Sequence, residues 1–238
     1  MKNHGIIWWG DSNGKGVYFD EARGRYAILR SSCLRLLEKE GGLPVRNLSV
    51  MGRTAAECLA AIGGDEMIPG GTAVFAFGGN DSDMNWQQVA EQPDRDHPAR
   101  SSIPEFREAL RGLVRAARRG GMSPILVTPV PLDGEKYFRW VSRGLDGEAI
   151  LRYLGGDPHM MYRWQEQYAD AVRDAAREEN AALLDLRGAF LSDRRFPAYY
   201  CLDGIHLNEK GHRKMYEWLA GQWLEGRELD PADMAKDA

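Results

Sequence analysis

Cysteine is scarce in this chain: Cys33, Cys58 and Cys201 are the only three among 238 residues. They are odd in number and far apart, so they fit neither a disulfide framework nor a zinc knuckle. No cluster of His, Cys or carboxylate residues has metal-ligand spacing, and no metal is expected. Long apolar runs are also missing. None approaches the roughly 20 residues needed to span a bilayer, so no membrane span is expected. Positive charge is not in excess either, with 31 Lys and Arg against 35 Asp and Glu and a net charge of -4. The pairs Arg118-Arg119 and Arg194-Arg195 are too short to form a basic face and read as solvated surface, so no nucleic-acid partner is expected. The first apolar run starts a few residues after Met1, which leaves no room for a signal peptide, and the expected address is cytoplasmic. Repeats and low-complexity segments are absent. The expectation is one domain over 1–225, with a polar tail at 226–238 that frays.

What the sequence does contain is organised around Ile6-Ile7-Trp8-Trp9-Gly10-Asp11-Ser12-Asn13-Gly14. Four consecutive apolar residues fit a strand covered on both faces, and Gly10 stands where a side chain would collide as the chain turns. The run thus delivers the Ser12 hydroxyl to a sheet edge. A phosphate loop is excluded, because Trp9 and Gly16 stand where that motif needs glycine and Ser or Thr.

Further along, helical spacing of Ile28, Leu29, Leu36 and Leu37 predicts a crossover helix from Arg25 to Glu40, ended by Gly41-Gly42. Strands are predicted at Pro44–Val50, Thr72–Phe77, Pro124–Val130 and Ala182–Leu186. Thr54 is suited to cap a short helix, Ser102 and Glu105 form a capping box, and Asp157-Pro158 opens a long helix to about Asn180. The last helix runs to about Leu224, with Met215, Trp218, Leu219 and Trp223 near one face and His212 expected to be exposed. Two segments fall outside this rhythm, at about 82–101 and 133–159, and read as insertions; the first has no clear periodicity and the second is rich in aromatics. The alternation of five strands with helices predicts an α/β fold, a parallel sheet with helices on both faces and right-handed crossovers. Sites in such sheets lie beyond the carboxyl ends of the strands.

Ser12, Gly52 and Asn80 follow three of those strand ends, and Asp203 and His206 stand three apart in the turn before the last helix. Serine becomes a nucleophile only with a base to take its proton, a group to orient that base, and donors for the oxyanion. Ser12 is the candidate nucleophile, His206 the base and Asp203 the carboxylate that fixes the imidazole. The backbone N–H groups of Ser12 and Gly52 and the Asn80 amide are the candidate oxyanion donors. Candidates for substrate contact are Asp11, Arg53, Trp86, Tyr137, Trp140 and His159.

These blocks, Gly10-Asp11-Ser12, Gly52, Gly78-Gly79-Asn80-Asp81 and Asp203-Gly204-Ile205-His206, resemble those of the SGNH (GDSL-type) esterases and acylhydrolases in identity, order and spacing. The resemblance spans most of the chain and implies a flavodoxin-like three-layer α/β/α sandwich with a five-stranded parallel sheet. It also implies a serine esterase that works through an acyl-enzyme intermediate on a small-molecule ester, with no cofactor. A short acyl group on a carbohydrate is the favoured substrate. The alternatives are a lysophospholipase or thioesterase, an acyltransferase, or a binding domain on the same fold, and homo-oligomerisation is compatible with all of them. Asn13 stands where the family's namesake motif has leucine. It is expected to lie outside the chemistry and to matter little.

Overall fold

The computed structural model describes residues 5–63 and 66–224. The expected tail at 226–238 lies outside the described residues. The strands are β1 (Ile6–Gly10), β2 (Val17–Asp20), β3 (Arg25–Ile28), β4 (Val45–Asn47), β5 (Thr72–Ala76), β6 (Ser123–Val127) and β7 (Ala182–Leu184). The helices are α1 (Ser12–Lys15), α2 (Cys33–Lys39), α3 (Ala55–Ala61), α4 (Trp86–Glu91), α5 (Ile103–Arg119), α6 (Gly134–Val141), α7 (Gly147–Tyr153), α8 (Met160–Glu178), α9 (Leu186–Leu191) and α10 (Glu209–Leu224). Five strands form one parallel sheet in the order β4-β1-β5-β6-β7. Its register aligns Gly10 with Ala76, Ala76 with Val127, and Val127 with Leu184. Four strands therefore stop level, and the residues after them share one edge. Backbone bonds from Leu48 to Trp8 and from Val50 to Gly10 prolong the β4 pairing and bring Gly52 to that edge as well.

Period-two alternation sends Ile7 and Trp9 to one face of the sheet and Ile6 and Trp8 to the other. Ile7 and Trp9 pack with Phe75, Phe77 and Leu126 beneath α3, α5 and α8, whereas Ile6 and Trp8 pack with Val74, Ile125 and Leu184 beneath α2, α9 and α10. Both faces are covered, which is why β1 reads as a continuous apolar run rather than an alternating one. A Cβ at Gly10 would stand 3.0 Å from Trp8 Nε1 and 3.2 Å from the Ala76 carbonyl, so the strand end is too tight for a side chain. Capping boxes at Thr54–Glu57 and Ser102–Glu105 start α3 and α5.

Three local expectations are corrected. Residues 25–40 are not one helix: Arg25–Ile28 is the second strand of an antiparallel hairpin with β2, and only Cys33–Lys39 is helical. The two insertions hold helices of their own, α4 in the first and α6 and α7 in the second. They pack on each other through Val89, Tyr137, Ile150 and Leu154. His212 is fully buried rather than exposed, because it shares the α10 face of Met215 and Leu219 at helical spacing. Its Nδ1 accepts the Cys33 N–H at 3.4 Å.

Burial, with the neighbouring His206 adding to it, holds the His212 imidazole down at about 4 instead of 6.5. A base that is harder to protonate when folded adds stability above its unfolded pKa and loses it as pH falls toward the folded value. Between pH 7 and 5 this amounts to about 2 kcal/mol. Urea unfolding of wild type and His212→Gln at both pH values should show the wild type losing about that much more stability on acidification. Equal losses would mean that His212 does not titrate on unfolding.

Candidate active site

Ser12 opens α1 directly after β1, and the Asp11 carboxylate caps that turn by accepting the Asn13 N–H at 3.0 Å. Burial pushes the Asp11 carboxyl up, against the lowering effect of the Asn13 amide and of His206. At the other end of the chain, Asp203, Gly204 and Ile205 form the turn that presents His206. Asp203 Oδ1 accepts the Ile205 and His206 backbone N–H groups at 3.1 and 3.0 Å, and its Oδ2 lies 2.6 Å from His206 Nδ1. His206 Nε2 is 2.9 Å from Ser12 Oγ. All three side chains are buried. Burial alone would raise the Asp203 carboxyl, but the hydrogen bond and charge of His206, with the two amides, hold it below the usual range.

The turn is fixed from two sides. Gly204 has φ +72°, and a Cβ there would fall 2.6 Å from the Tyr137 nitrogen and 2.7 Å from the Asp133 carbonyl. Glycine thus lets the start of α6 dock on the turn, where the Asp133 N–H donates to the Gly204 carbonyl at 2.8 Å. From the other side comes Asn13. Its Nδ2 donates to the Ile205 carbonyl and its Oδ1 accepts the Leu207 N–H, each at 3.2 Å. The two bonded residues flank His206, so one amide ties the serine turn to the histidine turn, a link not expected from the sequence.

Asn80 follows β5, and its Nδ2 donates to the Arg53 carbonyl at 3.3 Å, which uses one amide hydrogen and fixes the plane that holds the other. Gly52 sits beside it in a left-handed turn, φ +78°. Below them Asp81, fully buried, accepts the Ala55 N–H at 3.1 Å and the Ser101 hydroxyl at 3.0 Å, joining the second and third blocks to the end of the first insertion. Burial lifts its carboxyl to about 6 despite those donors, and nearby Asp11 adds to the rise.

A cavity of about 90 Å³ opens beside Ser12 and Asn80, over Phe77, Val130, Leu132 and Met161. Of the residues expected to contact substrate, Asp11, Trp86 and Tyr137 line it. Arg53, Trp140 and His159 do not. Arg53 contributes its backbone carbonyl to Asn80, Trp140 packs near Tyr26, the ring beside His206, and His159 precedes α8 with an exposed side chain 3.8 Å from Glu135. Asp83 went unnoticed in the sequence: it accepts the Tyr137 hydroxyl at 2.5 Å and Trp86 Nε1 at 2.9 Å, locking both rings at the cavity wall. Burial, reinforced by that carboxylate, pushes the Tyr137 phenol well up, so it stays protonated as the donor.

Residues 9–214 match the GDSL-like lipase/acylhydrolase family model. The chain belongs to that family. As a GDSL-like hydrolase it is an ester-cleaving enzyme. A Bacillus subtilis (strain 168) protein named an uncharacterized lipoprotein, YqeF, is 26% identical over 92% of this chain and 90% of its own length. Among solved structures, a lipase/acylhydrolase from Enterococcus faecalis superposes with a TM-score of 0.63 at 19% identity, covering 93% of this chain and 95% of that one. The acetylxylan esterase Axe2 from Geobacillus stearothermophilus gives 0.60 at 20% identity, over 96% and 98%. At such identity these two show the shared fold, the three-layer parallel-sheet sandwich.

Because Asn13 bridges to both neighbours of His206, Asn13→Ala should loosen the Ser12–His206 contact while removing only a small polar part of the cavity wall. The expected result is a roughly 10- to 100-fold fall in kcat with KM nearly constant. Steady-state kinetics beside a thermal melt check this, and an unchanged kcat would return Asn13 to a bystander role.

Proposed function

We propose that this GDSL-like hydrolase is a serine esterase that removes a short acyl group, from a carbohydrate in the leading case. The observation that carries the reading is the unbroken hydrogen-bonded chain from Asp203 through His206 to Ser12, at 2.6 and 2.9 Å, at the edge where Asn80 also stands. In this reading His206 takes the Ser12 proton as Oγ attacks the ester carbonyl, and Asp203 stabilises the imidazolium. The oxyanion is met by the Asn80 amide and the backbone N–H groups of Ser12 and Gly52. His206 then protonates the departing alcohol, and water releases the acyl group by the reverse sequence. The mechanism calls on no metal or organic cofactor.

Support for a short acyl group comes from the cavity, at about 90 Å³ smaller than the roughly 150 Å³ of a cavity that admits benzene. Support for a carbohydrate comes from aromatic side chains near the site and from the acetylxylan esterase name of one fold relative. A cytoplasmic address is part of the same proposal: Cys33, Cys58 and Cys201 are all unpaired and buried, as suits a reducing compartment. It contrasts with the lipoprotein name of the Bacillus relative, and cell fractionation separates the two.

The test is a panel of esters differing in acyl length and alcohol part. Turnover should be greatest for acetyl esters and abolished in Ser12→Ala. A preference for long acyl chains would contradict the short-acyl reading. On the best ester, Asn80→Ala should lower kcat about 10²–10³-fold, roughly 2.7–4 kcal/mol, with KM little changed, because an oxyanion donor acts mainly in the transition state. A destabilised variant with wild-type kcat would instead mark Asn80 as a turn residue only.

A further inference from the structure

We propose that Tyr26, Phe19 and Trp140 form a subsite for the alcohol half of the ester and that its occupant is a neutral sugar ring. The proposal rests on the serine-esterase reading above and adds to it where the alcohol lies and what recognises it. In acyl transfer the oxyanion turns to the hole while the leaving oxygen takes its proton from the base. The cavity is lined by Ser12 and Asn80 but not by His206, so it suits the acyl half. The alcohol half must then pass over His206 Nε2, outside the cavity.

What stands beside His206 is an aromatic cluster that the cavity does not include. The Tyr26 ring lies 5.0 Å from the imidazole, and Trp140 lies 6.2 Å from Tyr26. Phe19 meets Tyr26 and Trp140 edge-on at 5.5 and 4.7 Å. All three are half-buried, so part of each remains open to a ligand. The exposed Arg143 guanidinium lies over Trp140 at 4.0 Å and brings hydrogen-bond donors to the rim.

Two separate segments carry these rings, and both are fastened to the turn that holds His206. Phe19 and Tyr26 are cross-strand partners in the β2–β3 hairpin, whose Phe19 N–H donates to Cys201 Sγ at 3.4 Å. Trp140 sits on α6, which docks on Gly204. The rings are therefore held in fixed relation to the base. A sugar ring offers a C–H face to an aromatic surface and hydroxyls to donors around it, which matches rings bordered by a guanidinium. A fatty alcohol would need a long apolar trough, but Glu21, Arg25, Arg139 and Arg143 around the cluster are exposed and charged.

The experiment has a binding arm and a kinetic arm. Methyl β-xylopyranoside is titrated calorimetrically into wild type, Trp140→Ala and Tyr26→Ala, with hexanol as the comparison, and thermal melts confirm that each variant is folded. Binding of the pyranoside should weaken roughly tenfold in both variants, which lie on different elements. In parallel, the ratio of kcat/KM for an acetylated xylopyranoside to that for ethyl acetate should fall roughly tenfold in Trp140→Ala and recover in Trp140→Phe. Wild type that prefers hexanol, or a binding constant and ratio that do not respond to either variant, would overturn the subsite while leaving the esterase reading intact. Ring-dependent pyranoside binding without Ser12-dependent turnover of any ester would do the reverse, keeping the subsite and removing the hydrolase.

Discussion

The hydrogen-bonded chain Asp203–His206–Ser12 joins residues 194 positions apart, and much of the fold serves to hold that meeting. A hydroxyl and an imidazole from opposite ends of a chain lose considerable conformational freedom when fixed within 3 Å. The loss is met first by the sheet, whose aligned strand ends put Ser12 and Asn80 on one edge. It is met next by two local restraints on the histidine turn, the Asn13 amide and the docking of α6 on Gly204. Both restraints hold the turn that places His206 Nε2 2.9 Å from Ser12 Oγ.

That arrangement gives the segments 82–101 and 133–159 a common role. The first supplies Asp83 and Trp86 and, through Ser101, braces Asp81 beneath the block that carries Asn80. The second supplies Tyr137 to the cavity wall and Trp140 to the aromatic cluster beside His206. Since the two pack on each other, the cavity wall and the surface around Trp140 are set together by segments outside the sheet.

The central sheet was legible because strands covered on both faces must be apolar throughout, as in Ile6–Trp9 and Thr72–Phe77. Candidate site residues were legible where a strand end or turn coincides with a glycine and a polar side chain, as at Ser12, Asn80 and Asp203–His206. The β2–β3 hairpin was not. Its strands have four residues each and lie outside the main sheet, so they lack the long apolar run that marks a buried strand, and Ile28 and Leu29 fell by chance into helical spacing with Leu36 and Leu37. The burial of His212 follows from its spacing to Met215 and Leu219, although a titratable side chain on an apolar stripe carries the polarity of a surface residue. Asn13 and Asp83 carried no signal at all, because their partners are distant backbone groups or aromatic rings that only the folded chain brings near.

The account stands most directly on the reactivity of one hydroxyl. Incubating the folded protein with a fluorophosphonate and recording its intact mass tests this without knowledge of the substrate, since the reagent needs only a serine activated by its neighbours. A single adduct that maps to Ser12, and is absent from Ser12→Ala and strongly slowed in His206→Ala, is the predicted result. No adduct on folded wild type, or labelling that persists in Ser12→Ala, would contradict it.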